Sequence, residues 1–329
     1  MRSLRYRITG IALVAAAALL GACRDVALAP SKPAAGGVDA GTDAAADAAS
    51  DVRTDPSVLR AATFNTHLFF DTTCDSGRCG AGDFEQAPTP QAFALRAESL
   101  AAAIRSLGAD VVALQEIETQ GCLDALAAHL KDVYPTVVLG ETGLPGSIDV
   151  AVLAAGALME VRTHRDQPLM RPDGSVTSFT RELLEVHLQV KGRRVILFAA
   201  HFRSKSSDDP GRRLAEAQAA RDIILRSAKE FPDAVVLLGG DLNDTPGSPP
   251  IAALESAPEL LRVAKDRPPE SIATYTWNGN AQAIDHLFLA LTGSGSYLPA
   301  SATAVYDTVG KLGLAGSDHA ALRADFKLP

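Results

Sequence analysis

The sequence of 329 residues predicts an α/β fold in which mixed β-sheets are covered by helices. Several short apolar runs end abruptly in a polar residue, as buried strands do where they reach the edge of a sheet. Between these runs lie Ala-rich segments whose apolar residues recur at helical spacing. Strands interleaved with helices and hairpins are typical of layered α/β proteins.

Four apolar runs lead into side chains of a type used in catalysis. These are VLRAATF before Asn65, DVVALQ before Glu116, RRVILFAA before His201 and AVVLLGG before Asp241. Helical spacing predicts helices over about 90–107, 121–131 and 212–230. Further strands are predicted at 148–154, 178–190, 193–200, 283–290 and 319–327. The segments 178–190 and 193–200 are predicted to form a hairpin that turns at Lys191-Gly192.

Two other segments place polar residues at the beginnings of strands rather than at their ends. IDHLFL begins near Asp285, and SDHAALRADF begins with Asp318 and His319. An antiparallel strand begins at the edge where its neighbour ends, so all six positions are expected to meet along one edge. Ligand sites of layered α/β proteins commonly lie at such an edge. Any one of these residues alone would be explained as turn chemistry, but six coinciding strand ends favour a site.

These residue types fit metal-assisted hydrolysis of a phosphodiester. Carboxylate and carboxamide oxygens suit a hard divalent cation, Mg²⁺ first, with Mn²⁺ or Ca²⁺ as alternatives. Such an ion offsets charge on phosphate oxygens, an Asp can deprotonate water, and imidazole can contact phosphate near neutral pH. The spacing of Cys and His is not that of a zinc site.

The motifs TFNTH, LQEIE, AAHFRSK, GGDLND, IDHLFL and SDHAAL, in this order, resemble the endonuclease/exonuclease/phosphatase (DNase I-like) family. The resemblance covers nearly all of 58–329 and implies a four-layer α/β sandwich of two packed mixed sheets flanked by helices. It implies metal ligands at Asn65, Glu116 and Asp318, and catalytic roles for His201, Asp241, Asn243, Asp285 and His319.

Within the resemblance each catalytic residue has an implied role. Asp241 orients or deprotonates the attacking water, and Asn243 holds a phosphate oxygen. His201 and His319 face the phosphate, and Asp285 orients His319. The sequence departs from the family at His67, where many members carry an acid.

Two further residues extend the implied site. Arg181 stands where several members place an arginine near the site. Asp149 stands where relatives often show Gly or a polar residue. It either lines the rim of the site or simply starts a strand.

The segment AAHFRSK followed by GRRLAEAQAARDII resembles secreted bacterial nucleases of this family. Arg203, Lys205, Arg212 and Arg213 are then expected to form a basic strip that contacts phosphates beside the site. The net charge of −8 argues against a broader electrostatic grip on nucleic acid. The prediction is an endonuclease that acts on DNA or RNA, as a monomer without an obligate protein partner.

Two other functions remain open at this point. One is a lipid or inositol phosphate phosphodiesterase of the sphingomyelinase kind. The other is a surface binding protein whose site has lost activity, although the complete set of acids and both histidines argue against such a loss.

The first residues predict export. Arg2, Arg5 and Arg7 precede an apolar segment that ends in Leu20-Gly21-Ala22-Cys23. This arrangement resembles the lipobox of bacterial lipoproteins, which implies a signal peptide at 1–22 and a lipid on Cys23 that anchors the protein to the cell envelope. The alternative is an ordinary signal peptide with a chance Cys. Residues 23–57 are rich in Ala, Asp, Gly and Pro and predict a disordered tether, which leaves 58–329 as the folded domain.

The remaining cysteines allow two disulfide patterns. Cys74 and Cys79 flank DSGR in a loop, and their pairing is the simplest in an oxidising compartment. Alternatively, one of them pairs with Cys122.

Overall fold

A computed structural model describes residues 55–256, 260–308 and 311–329. The expected signal peptide at 1–22, Cys23 and the expected tether up to residue 54 lie outside the described residues. Within them, the chain forms the helices α1 (Pro90–Ser106), α2 (Gln120–Ala128), α3 (Pro210–Glu230) and α4 (Pro249–Glu255). No helix of the described part has the length and apolar character needed to cross a membrane.

Most strands of the described part belong to two mixed sheets. The first sheet has the order β15-β17-β1-β2-β4-β3, and β16 also pairs with β17. Its strands are β1 (Val58–Phe69), β2 (Val111–Ile117), β3 (Thr136–Gly140), β4 (Asp149–Ala154), β15 (Ser296–Tyr297), β16 (Thr303–Val305) and β17 (Ala321–Lys327).

The second sheet has the order β11-β14-β10-β9-β8-β5. Its strands are β5 (Ala157–Thr163), β8 (Leu184–Val190), β9 (Arg193–His201), β10 (Val235–Asp241), β11 (Leu260–Arg262) and β14 (Asp285–Ala290). Two short hairpins complete the pattern, formed by β6 (Leu169–Met170) with β7 (Val176–Thr177) and by β12 (Tyr275–Trp277) with β13 (Asn280–Gln282).

The two sheets pack face to face between two layers of helices. Inward-facing side chains of both sheets, such as Val111, Val186, Leu237 and Leu287, form one buried cluster. A second cluster joins α1 and α2 to the outer face of the first sheet, and a third joins α3 and α4 to the outer face of the second. The expected sandwich of two packed mixed sheets is confirmed.

The same arrangement of strands occurs at the centre of each sheet. β1 runs parallel to β2, and β9 runs parallel to β10. Each pair has an antiparallel neighbour, β17 beside β1 and β14 beside β10. The parallel strands therefore end where β14 and β17 begin, so the polar residues at these positions share one rim.

Most expected elements are found within a few residues. The turn between β8 and β9 has positive φ at Lys191 (48°) and at Gly192 (75°), as a two-residue hairpin turn requires. The expected strand at 178–190 is wrong in its first part, because β8 begins only at Leu184. There, the backbone N–H of Thr180 donates to Glu216 on α3 (2.7 Å) instead of to a neighbouring strand.

The loop after β1 contains a disulfide between Cys74 and Cys79, and Cys122 is a free, buried thiol. The thiol lies on α2 against the outer face of the first sheet. The simpler of the two pairings is therefore the one present.

Candidate active site

A cavity of about 620 Å³ opens at the rim where the central strands end. It is lined by acidic, imidazole, basic and apolar side chains from both sheets and from the connecting loops. They are His67, Leu68, Phe84, Glu116, Ile148, Arg181, His201, Ser204, Lys205, Ser206, Asp241, Asn243, Tyr275, Trp277, Gln282, Ile284, Asp318 and His319.

Asn65 connects the carboxylates of the two sheets. Its Nδ2 donates to Oε1 of Glu116 (3.1 Å) and to Oδ2 of Asp241 (3.0 Å). Its Oδ1 accepts the backbone N–H of His67 (3.0 Å). One amide within β1 thus fixes the distance between an acid on β2 and an acid on β10, which places the predicted site across the interface of the two sheets.

The backbone at the site adopts conformations that are unfavourable for side-chain-bearing residues. Glu116 has φ of 67° and Asn243 has φ of 54°, both in the left-handed region. Such residues cost of order 1 kcal/mol each and cluster at functional sites. In compensation, Oε2 of Glu116 accepts the backbone N–H of Leu68 (2.8 Å).

The Gly-Gly pair before Asp241 allows close approach of neighbouring strands. A Cβ at Gly240 would lie 2.2 Å from the carbonyl oxygen of Ala200 on β9. Only glycine therefore permits the pairing that sets Asp241 opposite His201.

Asp241 is buried and held at both oxygens. Its Oδ1 accepts the backbone N–H of Asn243 (2.8 Å), while Oδ2 accepts from Asn65. Burial, followed by the nearby charge of Asp285, raises the pKa of Asp241 to about 7. A carboxylate of this kind is suited to accept a proton near neutral pH.

His319 is paired with Asp285. The two side chains are buried, and Nδ1 of His319 lies 2.8 Å from Oδ2 of Asp285. Burial disfavours the charged ring, but the charge and hydrogen bond of Asp285 outweigh it and raise the pKa of His319 to about 10. Nε2 of His319 lies 3.9 Å from Oδ2 of Asp241, so a charged imidazolium faces the carboxylate.

His201 differs from His319 in its charge state. Its Nε2 lies 3.6 Å from Asp241 and 3.9 Å from Glu116. Burial, with the positive charges of Arg181 and His319, lowers the pKa of His201 well below its usual range. The two imidazoles beside Asp241 therefore differ at neutral pH: His201 is neutral and His319 is charged.

Asp318 is partnered by the residue that departs from the family pattern. Nδ1 of His67 lies 2.9 Å from Oδ1 of Asp318, and both side chains are about half exposed. This hydrogen bond raises the pKa of His67. Burial disfavours the charged form of Asp318, but the hydrogen bond from His67 and the nearby imidazoles outweigh it and lower the pKa of Asp318. His67 thus stands where many family members carry an acid, and its imidazole is hydrogen-bonded to the acid Asp318.

The donors at the rim fit a hard divalent cation. Glu116 and Asp318 present carboxylates to the same cavity. Asn65, the third expected ligand, turns its NH₂ group toward Glu116 and uses its oxygen on His67 N. In this arrangement Asn65 orients the two carboxylates, and the direct ligands offered to a cation are acidic oxygens.

The remaining expected site residues fall into two groups. Asn243 and Arg181 line the cavity, and their side chains also reach backbone carbonyls: Asn243 Nδ2 donates to Phe202 O (3.1 Å) and Arg181 Nε to Ile148 O (3.1 Å). Asp149 is buried at the start of β4 and accepts from Thr142 N (3.0 Å), so it is a strand-start residue and does not line the cavity.

The expected basic strip is wrong in its extent. Arg213 is buried and bonds Asp244 (2.9 Å) and Asp208 (3.0 Å). Arg212 donates to Ser178 O (3.0 Å) and Arg203 does not line the cavity. Lys205 alone of the four lines it, and its Nζ lies 2.8 Å from Asp244. The buried Asp244, which helical spacing cannot reveal, pairs with both Arg213 and Lys205.

Aromatic residues at the rim were not expected from the sequence. Trp277 and Phe84 are each 57% exposed and line the cavity together with Tyr275. The ring of Tyr275 lies 4.7 Å from that of His319. The stretch TYTW at 274–277 could have indicated them, because Tyr275 and Trp277 are two residues apart and therefore lie on one face of a strand.

Comparisons with known proteins agree with this architecture. Residues 62–319 match the model of the Endonuclease/Exonuclease/phosphatase family. Comparison with curated protein sequences gave no significant match.

Solved structures share the fold at low sequence identity. Truncated TDP2 of Caenorhabditis elegans superposes with a TM-score of 0.59 at 16% identity, covering 82% of this chain and 97% of that one. TDP2 of D. rerio complexed with single strand DNA product gives 0.56 at 16% identity, covering 82% and 99%. Beta toxin of Staphylococcus aureus gives 0.51 at 16% identity, covering 81% and 99%. The chain belongs to the Endonuclease/Exonuclease/phosphatase family, which makes it a hydrolase of the phosphoesterase type.

Proposed function

We propose that this protein is a divalent-cation-dependent endonuclease that cleaves DNA or RNA in single-stranded form. The observation that carries the proposal is the combination of an acid–imidazole centre with exposed aromatic rings in one cavity. Each base that stacks on such a ring contributes about 1–3 kcal/mol. Stacking depends little on the identity of the base, because every base has a π-face. A duplex would instead demand a basic track along its phosphates, which burial of Arg213 and the pairing of Lys205 remove.

The metal chemistry fits Mg²⁺ best, with Mn²⁺ or Ca²⁺ as alternatives. When bound, the cation would offset negative charge on the phosphate, and Glu116 and Asp318 would hold it. Asp241 accepts the proton of the attacking water, with its two oxygens fixed by Asn65 and by the N–H of Asn243.

The imidazoles have distinct tasks. His319 stays charged beside Asp285 and donates from Nε2 to a phosphate oxygen, while neutral His201 contacts the phosphate without adding charge. Arg181, which is fixed by the Ile148 carbonyl, supplies a cation that faces the substrate in the cavity. Asn243 is placed to donate to a phosphate oxygen.

A second candidate rests on the apolar part of the same cavity. Leu68, Ile148 and Ile284 join the aromatic rings in its lining, which fits a lipid phosphodiester.

One set of assays separates the two candidates. Initial rates are compared on a single-stranded oligonucleotide, the same sequence as a duplex, a phospholipid vesicle and a bis-aryl phosphodiester, with Mg²⁺ and with EDTA. We expect the single strand to be cleaved fastest and every activity to vanish with EDTA. Faster hydrolysis of the vesicle lipid would replace the nuclease proposal with the lipid one.

Export and anchoring are proposed on separate grounds. The sequence around Cys23 resembles a lipobox, and the disulfide between Cys74 and Cys79 suits an oxidising compartment. We therefore expect the full chain to fractionate with membranes as a monomer, anchored on the periplasmic or the surface side of the cell envelope. Cys23→Ser should release it, as measured by fractionation and by mass spectrometry of the N-terminus.

A further inference from the structure

A buried carboxylate on α3 lies behind the active site. Glu216 is fully buried, yet it does not line the catalytic cavity. Its Oε1 accepts the backbone N–H of Thr180 (2.7 Å), and its Oε2 accepts the backbone N–H of Arg203 (2.8 Å). Burial of a carboxylate is costly unless its oxygens are hydrogen-bonded, and here both oxygens are. Glu216 therefore joins two segments that reach the site from different parts of the chain.

The N–H of Arg203 shares its peptide group with the carbonyl of Phe202. That carbonyl accepts a hydrogen bond from Nδ2 of Asn243 (3.1 Å), and Nη1 of Arg181 lies 3.5 Å from it. A peptide group is planar, so a partner that fixes its N–H on one side also fixes the direction of its C=O on the other. A carboxylate on the N–H also polarises the group and strengthens the carbonyl as an acceptor. One peptide group thus connects Glu216 to two side chains of the cavity.

The other hydrogen bond of Glu216 acts on the backbone beside Arg181. Thr180 immediately precedes Arg181, in a stretch that ends before β8 begins at Leu184. Its N–H donates to Glu216 rather than to a neighbouring strand. At its far end, Arg181 donates from Nε to the carbonyl of Ile148 (3.1 Å). The backbone and the guanidinium of this arginine are therefore each held by a separate contact.

Glu216 also affects the charge of Arg181. Burial lowers the pKa of the Arg181 guanidinium. Nearby carboxylates oppose this effect, among them those of Glu116 and Asp241 in the cavity and that of Glu216 behind it. A carboxylate behind the cavity favours the charged form of the arginine without taking space from the substrate.

We propose that Glu216 is a positioning residue that directs Arg181 and Asn243 toward the phosphate of the substrate. The proposal rests on the proposed function for the roles of these two side chains. Glu216 itself touches no substrate and acts only through the backbone and charge of its neighbours. Because both side chains meet charge that develops on the phosphate in the transition state, loss of Glu216 should lower kcat more than it raises KM.

Two substitutions of Glu216 test the proposal. Glu216→Gln keeps the volume, but its NH₂ group replaces one acceptor and faces a backbone N–H. Glu216→Asp keeps the charge, but it is shorter by one methylene and cannot serve both N–H groups. Each should lower kcat on a bis-aryl phosphodiester by roughly 10- to 100-fold, the scale for a group that orients others, with KM within about threefold of the parent. The aspartate variant keeps the test decisive if the glutamine variant does not fold.

Glu185→Gln is the matched control. Glu185 is a buried carboxylate on β8 that accepts from Oγ of Ser227 (2.7 Å), near the other end of α3, and it does not line the cavity. This variant should unfold at lower urea concentration than the parent but keep its kcat and KM. A loss of kcat equal to that of Glu216→Gln would mean that general loosening of α3 is responsible, and the proposal would be wrong.

Double variants show whether Glu216 acts through the two side chains. Residues that act as a unit have non-additive effects. The factor by which Glu216→Gln lowers kcat should therefore be at least about threefold smaller in an Arg181→Met or an Asn243→Ala background. An undiminished factor in both backgrounds overturns the proposal.

Side-chain NMR signals provide a readout that does not depend on activity. The Nε–H of Arg181 and the NH₂ of Asn243 are assigned from their loss in Arg181→Met and Asn243→Ala. Glu216→Gln should shift both signals, and Glu185→Gln should shift neither. Unshifted signals in Glu216→Gln contradict the positioning role. A parent protein that hydrolyses no phosphodiester would instead contradict the proposed function, and the NMR result would still decide the role of Glu216.

Discussion

Nδ1 of His319 lies 2.8 Å from Oδ2 of Asp285, and both side chains are buried beside Asp241. The pairing register explains the contact. Asp285 is directly opposite Asp241 on neighbouring strands, while His319 lies two residues before β17, the strand beside β1. Two sheets therefore each supply one member of the pair, and the carboxylate keeps the imidazole charged.

Asp285→Asn should move the alkaline limb of the pH–rate profile to lower pH. With Asp285, the pKa of His319 is raised to about 10, so the charged ring persists until the pH passes that value. Without the carboxylate the ring loses its proton at lower pH, and activity falls earlier. The measurement is kcat/KM against pH for both proteins on a bis-aryl phosphodiester. An unshifted limb would mean that the charge of His319 is not needed.

Loss of either central acid should lower turnover strongly without loss of the fold. Glu116→Gln and Asp241→Asn are each expected to lower kcat by roughly 10²-fold or more, the scale of a lost acid–base or metal-binding group. EDTA should do the same to the parent, and Mg²⁺ should restore it. Circular dichroism checks folding, and Asp233→Asn on the surface is the matched control. Activity that survives EDTA would contradict the metal dependence.

Trp277→Ala should weaken binding of a single-stranded oligonucleotide. The ring is 57% exposed in the cavity, and loss of one stacked base costs about 1–3 kcal/mol, which raises KM roughly 5- to 150-fold. Trp277→Phe should retain most of the affinity, and Leu158→Ala on the exposed edge strand β5 should have no effect. An equal KM for Trp277→Ala and the parent would remove stacking at this position from the proposal.

Arg213→Gln should destabilise the fold, whereas Lys205→Gln should not. Arg213 is buried between Asp208 and Asp244, and removal of one partner of a buried ion pair costs about 3–5 kcal/mol. Lys205 is about half exposed, and its pair with Asp244 contributes less than about 1 kcal/mol. Urea denaturation gives both free energies of unfolding. Equal stability of the two variants would show that the Arg213 pairs contribute little.

The sequence by itself determined the strand ends and their residue types. Buried strands are apolar, so each abrupt change to Asn65, Glu116, His201 or Asp241 marks an edge, and mixed pairing brings these edges together. The family resemblance added two points: that the strands form two packed sheets, and which role each polar residue at their shared edge has. Helical spacing predicted the helices over about 90–107 and 212–230, which the structure has at Pro90–Ser106 and Pro210–Glu230.

Only the tertiary structure decided which charges are free and which are neutralised. Local spacing cannot show that Arg213 meets Asp244, that His67 meets Asp318, or that Asn65 turns its NH₂ toward two carboxylates, because these partners are distant in sequence. The same holds for Glu85 and Glu118, which lie 33 positions apart in the chain and in contact in the fold. The period of apolar residues predicts helices and strands, because each element buries one face at a regular spacing. The charge state of a side chain depends instead on its neighbours in space, and these are known only from the folded structure.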